Sequence, residues 1–186
     1  MISEISILSR FEMVKIIHGI DQPPKKPFLV ISCFGNRVHM LINNAGEHTP
    51  NVLIQGQKIN RLKSLGMVDF VNVFCDDVTP EQVEELNSKN PGKYLIKLFN
   101  ENDAKDVIKF IDRYKDEDCI LIVHCDAGIS RSSAVSKYSA YVLGFGAEYF
   151  DKKYPYICPN QHIIKILFET SNIEYEKYLK YEINKV

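Results

Sequence analysis

The sequence predicts an α/β fold: a central, mostly parallel sheet with helices on both faces. Three observations predict it. Short apolar runs rich in β-branched and aromatic residues recur at Phe28–Cys33, Val68–Cys75 and Cys119–Val123. Segments with helical spacing alternate with them, the clearest from Glu101 to Tyr114, where Val107, Ile108, Phe110, Ile111 and Tyr114 form one stripe. That helix feeds directly into the third apolar run. Strand–helix–strand alternation builds a parallel sheet, because each crossover helix packs back onto a sheet face.

In order along the chain, Ser9 is placed to cap a short helix reaching about Ile17. Pro23-Pro24-Lys25-Lys26-Pro27 is a turn or rigid connector into the Phe28–Cys33 strand. Gly35-Asn36 suits a tight turn before a second strand-like run, Arg37–Ile42. A loop over Asn43–Pro50 and a short strand at Val52–Ile54 follow. Lys58–Leu65 reads as a helix stopped by Gly66, and Val68–Cys75 as a half-alternating strand. Thr79 caps one or two helical turns over Pro80–Leu86, broken by Asn90-Pro91-Gly92. Beyond the Cys119–Val123 strand, Ala134, Val135, Tyr138, Tyr141 and Val142 share a helical face that ends at Gly144. Gln161–Phe168 is a further helix, and about residues 171–186 are expected as a C-terminal helix or frayed tail.

A length of 186 residues suits one domain, residues 1–186, with a substantial core. The composition, 45% hydrophobic and 25% charged, is ordinary for a folded protein. A net charge of −1 gives no electrostatic case for nucleic acid or a membrane surface as partner. No apolar run approaches the ~18 residues of a membrane span. Met1–Ser6 lacks the basic start and long apolar stretch of a signal peptide. The five cysteines (33, 75, 119, 125 and 158) are odd in number and widely spaced, as expected of reduced thiols in a cytoplasmic protein. His18, His39, His48 and His162 show no metal-ligand spacing, so no metal is expected.

The most informative stretch is His124-Cys-Asp-Ala-Gly-Ile-Ser-Arg-Ser132, directly after the third apolar run. A tight loop whose backbone N–H groups point inward makes an anion nest, and a helix beginning at its end adds a positive dipole. Arg131 closes the loop with a planar fork matched to phosphate oxygens. The same features would ionise the Cys125 thiol, so nucleophile and anion site form one device. There is no C-x-x-C pair and no G-x4-G-K-[ST] run, which argues against a redox dithiol and a nucleotide P-loop. The bland alternative is a buried cysteine at a strand end.

These residues resemble the H-C-x5-R-S signature of the cysteine-dependent protein tyrosine phosphatases, matched at His124, Cys125, Gly128, Arg131 and Ser132. The resemblance implies a phosphatase with Cys125 as nucleophile, the loop Asp126, Ala127, Gly128, Ile129, Ser130 and Arg131 as phosphate cradle, and no metal or organic cofactor. His124 would orient the loop, Ser132 would support the Cys125 sulfur, and Pro159-Asn160 matches a segment whose Asn braces the loop in the dual-specificity branch. Read as sequence alone, Asn160 is simply a helix N-cap. The chain is too short for the larger tyrosine-specific branch and lacks its K-N-R-Y-type segment, so the dual-specificity-like, small bacterial-type branch is the better match.

A proton donor is expected on a neighbouring strand-end loop, since ligands of open α/β sheets bind beyond the carboxyl ends of strands. Cys75-Asp76-Asp77 lies at such an end, and the family pattern favours Asp77 over Asp76. The spacing of 48 residues from Asp77 to Cys125 is similar to that of a bacterial branch with an extended acid loop. Asp103 is the rival, although Asn100-Glu-Asn-Asp103 also reads as a helix-capping run. Phosphoinositide phosphatases that resemble this family carry extra basic residues in the loop interior, where this chain has no Lys, so the resemblance implies a substrate other than a lipid headgroup; an acidic Asp126 would also repel a polyanion. The substrate expected is a phosphorylated protein or peptide, with phosphotyrosine foremost and phosphoserine or phosphothreonine alongside. A phosphate-recognising pseudophosphatase and a phosphatase of a small metabolite or nucleotide are the alternatives. Cys75 is the expected disulfide partner of Cys125 under peroxide, being also at a strand's carboxyl end.

Overall fold

The computed structural model describes residues 1–35, 57–92, 96–145, 148–176, 178 and 179. The turn expected at Gly35-Asn36, the strand-like runs Arg37–Ile42 and Val52–Ile54 and the loop Asn43–Pro50 lie wholly or largely outside them, as does the end of the tail.

Among the described residues, four strands form one parallel sheet: β1 (Glu4–Ser9), β2 (Phe28–Phe34), β3 (Met67–Phe74) and β4 (Ile120–Cys125), in the order β1-β4-β2-β3. The helices among the described residues are α1 (Arg10–Ile17), α2 (Gln57–Ser64), α3 (Pro80–Lys89), α4 (Glu101–Tyr114), α5 (Arg131–Val142), α6 (Glu148–Lys153) and α7 (Gln161–Thr170). None of them is long and apolar enough to cross a membrane.

Side chains alternate across the sheet with the period of two that pleating dictates. Leu29, Ile31, Leu121 and Val123 bury one face against Val107 and Ile111 of α4, Ala134 and Val135 of α5, and Ile164 and Leu167 of α7. Phe28, Val30 and Ile122 bury the other against Met13 and Ile17 of α1 and Leu62 of α2. With helices on both faces, the inner strands have no polar side to show, and all seven residues of β2 are buried.

Two elements go beyond the sequence expectations. β1 was not anticipated, although Ile5 and Ile7 alternate with Glu4 and Ser6. It occupies a sheet edge, where unpaired backbone groups need partners. Tyr149 of α6 supplies one, its hydroxyl accepting from Ile5 N–H at 3.0 Å, and the Tyr154 hydroxyl accepts from Ile7 N–H at 3.1 Å. The second, α6 itself, is too short to show a helical stripe. α3, started by a capping box between Thr79 and Gln82, runs about a turn beyond the expected Leu86, where Asn90 N–H donates to the Leu86 carbonyl at 3.0 Å.

The strand order positions the site. β4 lies between β1 and β2, in register with Ser9 opposite Cys125 and Ser32 opposite His124. Cys33 is therefore level with Cys125 on the adjacent strand, while Cys75 follows β3, one strand further away. This order favours Cys33, not the expected Cys75, as the thiol nearest Cys125.

Candidate active site

The loop from Cys125 to Arg131 links the end of β4 to the start of α5. It turns sharply at Gly128, whose φ of 74° only glycine adopts without strain. A Cβ there would stand 2.9 Å from Ser9 N and 3.1 Å from the Leu8 carbonyl carbon, so the loop is pressed onto the β1–α1 junction. On that side Arg10 N–H donates to the Asp126 carbonyl at 3.1 Å. On the other, Cys158 N–H donates to the Ile129 carbonyl at 3.1 Å and Asn160 N–H to the Ser130 carbonyl at 3.3 Å. The loop is thus clamped from both flanks by backbone hydrogen bonds.

The Cys125 sulfur lies at the buried floor, receiving the Gly128 N–H at 3.3 Å with Ser132 Oγ 3.2 Å away. Ser130 stands at the N-cap position of α5, yet its side chain makes no capping bond. Its hydroxyl donates instead to Asp77 Oδ1 at 2.6 Å. Asn160 Nδ2 donates to the same oxygen at 3.1 Å, while Asn160 Oδ1 caps α7 by accepting Ile163 N–H at 3.2 Å. Asn160 thus caps α7 and bonds Asp77 with the same side chain.

The three acids occupy different settings. Asp77 bonds to Ser130 of the Cys125 loop and to Asn160. Asp76 ties its own segment to Lys97, accepting Lys97 N–H at 2.9 Å and donating its N–H to the Lys97 carbonyl at 2.8 Å. Asp103 closes the capping box of α4 with Asn100 and pairs with Lys97 Nζ at 2.7 Å.

Arg131 is almost wholly buried, at 3% exposure. Nη1 donates to the Cys75 carbonyl at 3.1 Å and Nη2 to Asp126 Oδ2 at 2.7 Å, while Nε is buried with no hydrogen-bond partner. Burial opposes its charge, but the Asp126 bond and nearby anionic groups outweigh this and hold its pKa above the ordinary value. The second Asp126 oxygen lies 3.7 Å from Arg10 Nη1.

His124 sits beneath the loop with Nε2 2.5 Å from Ser32 Oγ and its ring edge-on to Phe34. Burial, aided by the Arg131 charge, pushes its pKa down to about 4, so it is a neutral imidazole near pH 7. Burial likewise pushes the Cys75 thiol up to about 12 and the Cys33 thiol well above its usual range. No group of three or more His, Cys, Asp or Glu residues among those described could hold a metal ion.

Four contributors escaped the sequence. Ser32 partners His124; its signal was a polar residue inside an otherwise apolar run, which burial obliges to find a partner. Gly35 lies past the end of β2, where a Cβ would stand 3.0 Å from both Arg131 Nη1 and Asp76 Oδ1. The Cys75 carbonyl and the Arg10 side chain leave no signature, because the contacts depend on strand order.

No family model and no curated protein matches the sequence. Among solved structures, the chain is similar to PTPMT1 in complex with PI(5)P, at 11% identity and a TM-score of 0.49, over 90% of this chain and 89% of that one. It is also similar to the PTP-2 phosphatase of Cydia pomonella, at 14% identity and a TM-score of 0.41, over 89% of this chain and 84% of that one.

Proposed function

We propose that this protein is a cysteine-dependent phosphatase of the dual-specificity-like kind, hydrolysing phosphate monoesters on proteins, phosphotyrosine foremost. The observation that carries the reading is one loop holding Cys125, Gly128, Ser132 and Arg131 together, with Asp77 bonded to that loop through Ser130.

In the proposed reaction, the Cys125 thiolate attacks phosphorus in line with the ester oxygen. Loop N–H groups and the Arg131 guanidinium hold the equatorial oxygens as charge redistributes. The P–O bond breaks, and Asp77 gives its proton to the departing oxygen. Asp77 Oδ1 is committed to Ser130 and Asn160, leaving Oδ2 to carry that proton. Water then attacks the cysteinyl-phosphate and loses a proton to Asp77, and the S–P bond breaks. The Ser132 hydroxyl and Gly128 N–H receive the returning sulfur anion. His124, neutral and bonded to Ser32, holds the loop and takes no proton.

An aryl phosphate is favoured by the rim. Ile129 is 45% exposed on the loop itself. An apolar side chain there would cover a phenyl ring better than a ribose or an inositol. The test is turnover on phosphotyrosine, phosphoserine and phosphothreonine peptides beside phosphoinositides and nucleotides. The expected order places phosphotyrosine peptides first. Preference for a phosphoinositide or nucleotide would replace the substrate class, and no turnover of any would favour a phosphate-recognising pseudophosphatase.

A further inference from the structure

We propose that Asp126 is a built-in competitor for the phosphate site: its carboxylate holds Arg131 in the resting protein, is displaced from it by the substrate phosphate, and is received by Arg10. This rests on the phosphatase reading above.

A guanidinium can offer an oxyanion two edges, one of Nη1 with Nη2 and one of Nε with Nη2. Nη1 gives one of its two N–H groups to the Cys75 carbonyl. Nε is buried and unpartnered, while Nη2 holds Asp126 Oδ2 at 2.7 Å. A bidentate oxyanion on the edge of Nε with Nη2, where Nε is open, would stand beside the carboxylate bonded to the same Nη2. Two anions so close in a largely buried site repel each other, and the Asp126 side chain is only 18% exposed.

The carboxylate has somewhere to go. Its other oxygen lies 3.7 Å from Arg10 Nη1, on a side chain 48% exposed and able to close that gap. The backbone of Asp126 need not move, since its carbonyl stays bonded to Arg10 N–H. In the resting state one carboxylate bridges two arginines, and in the occupied state each arginine has its own anion. The device sets specificity as well as affinity. A monoester dianion is admitted by a single exchange, whereas a substrate with further phosphates near the loop brings its extra charge against the same carboxylate.

Binding of inorganic phosphate, measured by titration calorimetry, tests this without turnover. The proteins are wild type, Asp126→Asn, Asp126→Glu, Arg10→Gln and the double variant Asp126→Asn with Arg10→Gln. Asp126→Asn is expected to bind phosphate about tenfold more tightly, since it keeps the shape and removes the competing charge. Asp126→Glu keeps the charge and should stay much nearer to wild type. Arg10→Gln should weaken binding several-fold in the wild-type background and leave it nearly unchanged beside Asp126→Asn, a non-additivity that a merely structural role would not produce. Weaker phosphate binding by folded Asp126→Asn would overturn the proposal and make Asp126 a buttress of Arg131. Equal cost of Arg10→Gln in both backgrounds would overturn the relay to Arg10. Should Asp126→Asn not fold, Arg10→Gln alone decides: unchanged phosphate affinity contradicts the exchange. No phosphate uptake by the wild-type protein would sink the phosphatase reading itself, whereas uptake without the Asp126 effect sinks only the competitor.

Discussion

In the proposed reaction Cys125, Arg131 and Asp77 carry the chemistry, and each is expected to fail in its own way when changed. Cys125→Ser is expected to abolish turnover while phosphate still binds, because an alcohol is scarcely ionised at neutral pH. Arg131→Lys should lose roughly two to three orders of magnitude in kcat/KM, since a point charge cannot reproduce the planar fork. Asp77→Asn should lower kcat by about 10²-fold or more and flatten the alkaline limb of its pH profile, which reports the protonated acid. Asp76→Asn should keep the limb and instead lower thermal stability, because Asp76 ties its loop to Lys97. A reversed pattern would transfer the acid role to Asp76. Peroxide should convert the Cys125 thiolate to a sulfenic acid, which condenses with a neighbouring thiol to a disulfide and water. Parallel strands lie about 4.8 Å apart, within the Cα range a disulfide accepts. Peptide mapping should therefore find Cys33 joined to Cys125, and a Cys75–Cys125 peptide would contradict this reading of the strand order.

At the scale of elements, Asn160 at the N-terminus of α7 links helix capping to the proposed acid, Asp77. Asn160→Ala should cost about 1 kcal/mol by removing the cap. Asn160→Asp keeps a capping oxygen but replaces the donor to Asp77 with a like charge. It should retain stability, measured by urea unfolding, while moving the alkaline limb of kcat to higher pH, since a neighbouring anion disfavours ionised Asp77. An unmoved limb would mean that Asn160 only caps. Elements were legible wherever local chemistry fixes them. Ser9, Thr79 and Asn100 each announce a helix start and each caps one, and the Glu101–Tyr114 stripe buries Ala104, Val107, Phe110 and Ile111. β1 escaped because its short alternating pattern stands beside a stronger capping signal at Ser9, and α6 because six residues cannot display a stripe. The loop was legible because anion nest, fork and thiol are consecutive residues. The Asp126 bridge was not, because sequence shows an acid beside the nucleophile without showing which arginines face it.

For the whole molecule, burying a neutral histidine in the middle of the sheet makes stability depend on pH. His124 has a pKa of about 4 in the folded protein against an ordinary 6.5. Between these values the unfolded chain binds a proton that the folded one excludes, so unfolding is favoured as pH falls. Stability from this group is full above about pH 6.5 and is lost toward pH 4, by about 3 kcal/mol in all. Urea unfolding between pH 7 and pH 4 should show that loss, and a flat profile would mean that His124 is protonated or exposed. Strand order is the feature sequence could least reveal, for it depends on which crossovers pack together. It is also what places Ser9, Ser32 and Cys125 at one end of the sheet. The proposal that this end of the sheet forms a cysteinyl-phosphate can be tested directly. The wild-type protein is mixed with a phosphotyrosine peptide, quenched within its first turnover and mapped by mass spectrometry. The expected result is a phosphoryl group on the peptide containing Cys125, absent from a Cys125→Ser control. A phosphoryl group on any other side chain, or phosphate released by that control at the wild-type rate, would contradict it.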